Sequence, residues 1–122
     1  MARVWLVDDQ EQWLELFENA LRDAGYEVLA FTDGYTALSR LKSGAVPPDA
    51  VVLDVQMKPS GAEVLRAIRE TCRELPVVMN TSCAGCRERA ELASATGFVT
   101  KHTDPRSLLE ALTLVLSRAR EA

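Results

Sequence analysis

Short apolar runs alternate along the chain with longer stretches in which apolar residues recur every three or four positions. The runs Arg3–Val7, Glu27–Ala30, Ala50–Val55, Val77–Asn80 and Gly97–Thr100 predict strands. After the first, Trp13, Leu14, Phe17, Ala20, Leu21 and Ala24 mark one face of a helix, and Gly25 supplies its stop. A second helix is expected over about Gly34–Ser43, with Ala37, Leu38 and Leu41 inward and Gly44 ending it. A third takes Ala62 to about Arg73, burying Val64, Leu65 and Ile68 while Glu63, Arg66, Arg69 and Glu70 face water; Pro76 then opens the fourth strand at a permitted position. A fourth helix, Cys86–Ser94, has a thin apolar face of Ala90, Leu92, Ala93 and a cysteine, so weak anchoring and mobility are expected there. The fifth is strong, with Pro105 in its first turn after Asp104 and a stripe of Leu108, Leu109, Leu112, Val115 and Leu116, fraying over Ser117–Ala122. Five βα units with buried strands and right-handed crossovers predict an α/β fold, a parallel sheet covered on both faces.

Composition narrows the classes. The 122 residues, 48% hydrophobic, suit one domain with a single core. A formal charge of −4 argues against direct nucleic-acid binding, which needs clustered Lys and Arg. No apolar run approaches the roughly 18–20 residues of a membrane span, and the strand-like start within a few residues of Met1 leaves no room for a signal peptide; a cytoplasmic protein is expected. Cys72, Cys83 and Cys86 are an odd number in such a chain, so a disulfide framework is not expected.

The candidate chemistry lies at the strand ends. Asp8 and Asp9 close the first apolar run and Asp54 the third. In an open parallel sheet, ligands bind beyond the carboxyl ends of the strands, where strand order reverses. Three carboxylates meeting there repel one another unless a hard cation joins them, and an all-oxygen set with few protein ligands suits Mg2+. Nucleotide and flavin binders of similar architecture use a glycine- or hydroxyl-rich phosphate loop after the first strand. Here that loop is Asp8-Asp9-Gln10-Glu11, which repels a bare phosphate.

These residues resemble the response-regulator receiver domains of two-component signalling, the CheY-like superfamily. The resemblance runs from about Arg3 to Leu116 and rests on five features in order: Asp8-Asp9; Val-Leu-Asp-Val around Asp54; Gly61-Ala62-Glu63-Val64-Leu65; Thr81; and Phe98-Val99-Thr100-Lys101. It implies a single doubly wound (βα)5 flavodoxin-like domain over 1–122, strand order 2-1-3-4-5, with no output domain in the chain. It also implies Asp54 as phosphoacceptor, taking a phosphoryl group from a sensor histidine kinase or phosphotransfer protein. Asp9 and Asp54 would bind Mg2+ directly, Asp8 through water, and Gln56 through its backbone carbonyl. Lys101 and Thr81 would contact the phosphate, with Phe98 where the family often has a switch tyrosine. The fourth helix, fifth strand and fifth helix would present the altered surface to an output domain, an output protein or a second copy of the chain.

The sequence departs from the family in places. The segment from Asp54 to Gly61 is short, with Lys58-Pro59 in it, and so is the stretch from Thr81 to Lys101. His102 follows Lys101 where many members have a cis-proline, a feature shared with regulators of the nitrate-response type. Other readings stand beside these. Asp9 with Gln12 makes a capping box for the first helix, Phe98 suits a permanently buried core ring, and Trp5 and Trp13 read as packing. Cys83-Ala84-Gly85-Cys86 reads as a mobile loop, a redox pair or half a zinc site. A Mg2+-dependent phosphohydrolase with Asp54 as nucleophile usually has a second acid two residues on, where this chain has Gln56. A receiver-like interaction module that is never phosphorylated would not need the intact acids and Lys101.

Overall fold

In the computed structural model, which describes residues 2–83 and 85–121, the chain forms five strands and four α-helices. In chain order these are β1 (Arg3–Val7), α1 (Glu11–Asp23), β2 (Glu27–Phe31), α2 (Gly34–Lys42), β3 (Ala50–Leu53), α3 (Gly61–Thr71), β4 (Val77–Thr81), β5 (Gly97–Thr100) and α4 (Arg106–Glu121). All pairings are parallel and the sheet order is β2-β1-β3-β4-β5, as the resemblance implies. The order in which strands are added therefore reverses between β1 and β3, and the ends of these two strands are neighbours, with Val7 opposite Leu53.

Strand pleating divides the core in two. Trp5, Val7, Val51, Leu53 and Met79 pack under α2 and α3, against Ala37, Val64, Leu65 and Ile68. Val4, Leu6, Val52 and Val78 pack on the other face against Leu14, Phe17 and Leu21 of α1 and Leu108, Leu112 and Val115 of α4. Continuous apolar strands are the expected result of burying both faces.

The helix starts are chemically specified. Asp33 caps α2, its carboxylate accepting from the Thr36 N–H at 2.8 Å, and Ser60 caps α3, accepting from the Glu63 N–H at 3.3 Å. The capping reading of Asp9 does not hold: the residue flanking α1 is Gln10, and no side chain caps that end. Gly25 ends α1 with φ +96°, as expected.

The expected fourth helix is absent among the described residues. Cys86–Glu88 and Ala90–Leu92 form two separate 3-10 turns instead, split by Arg89 in an extended conformation. Gly85, at φ +87°, turns the chain into this segment, and Cys86 and Leu92 anchor it in the core. With two anchors six residues apart, one in each turn, and little other apolar surface, tertiary packing cannot support a longer helix. The side chain of Ala90, part of that expected apolar face, lies outside the described residues, as does Ala84 of the Cys83–Cys86 loop. The end of α4, by contrast, is more regular than expected, helical through Glu121, with Ala122 outside the described residues. Strand β3 stops at Leu53 rather than Val55.

Candidate functional site

Pleat parity assembles the site. Leu6, Val52, Val78 and Val99 face α1 and α4, so the residues two further on, Asp8, Asp54, Asn80 and Lys101, continue that side at the strand ends. The backbone ladder runs on to hold them: Asp8 N–H donates to the Phe31 carbonyl at 3.1 Å, Asp54 N–H to Val7 at 3.2 Å and Lys101 N–H to Thr81 at 2.9 Å.

Asp8, Asp54 and Lys101 are buried. Lys101 Nζ lies 2.7 Å from Asp8 Oδ2 and 3.0 Å from Asp54 Oδ2. Asp54 Oδ1 accepts from the Gln56 N–H at 3.3 Å, and Asp8 Oδ1 from the Gln10 N–H at 2.9 Å. Burial raises the Asp8 carboxyl above the ordinary aspartate range; the hydrogen bond from Lys101, the Gln10 N–H and the Lys101 charge oppose that rise, and Asp54 adds to it. Asp9 is exposed at the rim. Even so, Asp8, Asp9 and Asp54 each offer a carboxylate oxygen, all within 4.8 Å of one another. Three hard oxygen donors converging beside one ammonium fit Mg2+ better than a softer ion.

A close approach of backbone positions Asp54. A Cβ at Gly61 would overlap the Asp54 carbonyl oxygen and lie 2.6 Å from Val55 Cα. The Gly61 N–H donates to the Val55 carbonyl at 2.9 Å, closing the loop after β3. Within that loop the Lys58–Pro59 bond is cis, while Lys101–His102 is trans.

Thr81 is buried at the end of β4, on the opposite parity to Asp54. Its Oγ1 accepts from the Cys83 N–H at 3.2 Å. Phe98 is half-buried at the sheet edge, with the Arg87 guanidinium 5.8 Å from its ring centre, so it is not a fully enclosed core ring. The exposed Gln56 side chain accepts from Ser82 Oγ at 3.3 Å, linking the loops after β3 and β4.

Two features escape a reading of the residues alone. Trp13, taken as packing, lies with its ring 5.3 Å from Lys101 Nζ and stacks on Phe17, so an aromatic face covers the buried ammonium. Its place on the inward stripe of α1 marks it as packing and carries no signal of the Lys101 contact. The second is a disulfide between Cys83 and Cys86, which fits the redox-pair reading among the three left open for that loop, although no disulfide framework was expected. Cysteine parity cannot detect a bridge within one tight turn that leaves Cys72 free.

The chain matches the model of the response regulator receiver domain over residues 4–113. It belongs to that family. Relatives of this receiver domain include the alkaline phosphatase synthesis transcriptional regulatory protein PhoP of Bacillus subtilis, 31% identical over 98% of the chain and 50% of PhoP. The response regulator MprA of Mycobacterium bovis is 35% identical over 98% of the chain and 52% of MprA. The receiver domain thus spans about half the length of these relatives. Among solved structures, the response regulator TrrA of Thermotoga maritima in complex with Mg2+-BeF superposes with a TM-score of 0.88 at 29% identity, over 94% of this chain and 99% of TrrA. TrrA in complex with the histidine kinase ThkA matches at a TM-score of 0.86, 29% identity, and coverages of 95% and 99%.

Proposed function

We propose that this receiver domain is a phosphorylation-activated switch that accepts a phosphoryl group on Asp54 from the phosphohistidine of a sensor histidine kinase or phosphotransfer protein. The observation that carries the reading is Lys101 Nζ set 2.7 Å from Asp8 and 3.0 Å from Asp54 in a buried cluster of acids. Asp54 is the nucleophile: its carboxylate oxygen bonds to phosphorus as the phosphorus–nitrogen bond breaks and the electron pair returns to the imidazole. Lys101, already beside Asp54, offers its charge to a phosphoryl oxygen. Thr81 releases the Cys83 N–H and turns its hydroxyl toward the phosphoryl group. Asp9 and Asp54 directly, Asp8 through water and the Gln56 carbonyl would hold Mg2+, which would supply neutralisation of the carboxylate and phosphoryl oxygens. The Gln56 carboxamide is not an acid and cannot serve as general acid for a leaving group, which supports a switch over a hydrolase.

In this reading residues 1–122 act as the receiver unit, working in the cytoplasm, and the response leaves through the segment after β4, β5 and α4. The recipient is an output domain, an output protein or a second copy of the chain. Among the described residues no helix is long and apolar enough to cross a membrane. Phosphorylation moves an existing equilibrium between two arrangements, and does so only through contacts that differ between them.

Trp13 provides the test, because it lies beside Lys101. Beryllium fluoride should change its fluorescence when Mg2+ is present and not in its absence, and Asp54→Asn should abolish the response. A response of wild-type size in Asp54→Asn would refute the assignment.

A further inference from the structure

The Cys83–Cys86 disulfide lies next to the switch threonine and has no part in phosphoryl chemistry. The two Cα atoms are 5.6 Å apart, within the range such bridges take. Cys86 is 1% exposed and packs in the core that includes Met79 and Leu92. Cys83 is half-buried, beside a hollow of about 230 Å³ lined by Thr81, Gly85, Arg87, Phe98 and Thr100. The Cys83 N–H in turn holds the Thr81 hydroxyl. A continuous tether thus runs from the hydroxyl that must move, through the bridge, to a fixed point in the core.

We infer that Cys83–Cys86 is a thiol–disulfide exchange site for a dithiol reductant, and that its redox state sets how readily Thr81 responds to a phosphoryl group on Asp54. This rests on the phosphorylation reading above and adds regulation to it. Sulfur accessibility orders the steps. A thiolate of the reductant attacks Cys83 Sγ, the half-buried sulfur, forming a mixed disulfide as the Cys83–Cys86 bond breaks. Cys86 leaves as the thiolate, stabilised by Arg89 Nη1 at 3.9 Å. The second thiol of the reductant attacks its own sulfur in the mixed disulfide and releases Cys83. Two electrons and two protons pass to the pair, and the reductant departs as a disulfide.

The consequence follows from linkage. In the oxidised form, closing Thr81 on a phosphoryl group must break the Cys83 contact and displace a loop whose far end is pinned; in the reduced form the loop moves without Cys86. Phosphoryl analogues therefore favour the reduced form, and the same coupling acts in both directions. A metal role is not favoured, because among the described residues the cluster spaced to hold a metal is Asp8, Asp9 and Asp54.

The experiment compares oxidised and dithiol-reduced wild type, verified by alkylation of one thiol, Cys72, against all three. Beryllium fluoride affinity is measured with Mg2+ by Trp13 fluorescence. The reduced form should bind at least about fivefold more tightly, and the double variant Cys83→Ser/Cys86→Ser should show the reduced-form affinity in both buffers. Equal affinity of the two wild-type forms, or a bridge that resists the dithiol in the folded protein, would overturn the inference. In either case, loss of binding in Asp54→Asn would show that the phosphorylation reading itself survives; binding undiminished by that substitution would sink both.

Discussion

Lys101 is the residue on which the site's electrostatics turn. Among the described residues it is the one buried cation, and it faces two buried carboxylates whose oxygens are within reach of each other. Removing one partner of such a group leaves uncompensated charge, which costs about 3–5 kcal/mol. Lys101→Met should therefore lower stability by an amount of that order when no divalent cation is present. Saturating Mg2+ should restore most of it, because a second cation can take up the same carboxylates. Urea unfolding with and without Mg2+ reads both, and a loss that Mg2+ leaves unchanged would mean the acids do not share a cation site. Much of this was legible in the sequence. Asp8, Asp9 and Asp54 close apolar runs and so mark the strand ends in the sequence, whereas the burial of Asp8 rather than Asp9 is seen only in the structure. The contact of Trp13 with Lys101 was not legible, since it depends on how α1 lies across the sheet.

At the level of elements, local chemistry and tertiary packing contribute unequally. The start of α2 depends on Asp33, whose carboxylate is held below the usual aspartate range, first by the Thr36 backbone N–H and then by the Thr36 hydroxyl. A folded value below the unfolded one means that this stability is present above the unfolded value, about 3.9, and is lost as pH falls through the folded one. Asp33→Ala should cost about 1 kcal/mol near neutrality, and the gap to wild type should begin to close below about pH 4. Thermal unfolding across that range tests the sign, and a gap that widens with acid would contradict it. The segment from Gly85 to Ala95 is the opposite case. Its backbone bonds are short-range, as from the Arg89 N–H to Cys86 and the Leu92 N–H to Arg89. Its amides should exchange faster than those inside α1, α3 or α4; equal protection would contradict this. The thin apolar face marked this segment as weak, but periodicity could not show that a positive-φ glycine and a bridge would replace the helix with two turns.

For the whole molecule, sheet order is what turns separate motifs into one site. Only with β1 and β3 adjacent and β4 and β5 beyond them do Asp8, Asp54, Thr81 and Lys101 reach one edge. Alternating strands and helices predict a parallel sheet, whereas its order came from resemblance, because periodicity carries no information on which strands are neighbours. The central claim is that this arrangement makes Asp54 a phosphoryl acceptor. Its most direct test is the intact mass of the protein after incubation with acetyl phosphate, followed by peptide mapping of the modified residue. The account predicts one added phosphoryl group, dependent on Mg2+, labile to hydroxylamine as an acyl phosphate is, and located on Asp54. A phosphoryl group carried elsewhere, or uptake that persists in Asp54→Asn, would contradict it.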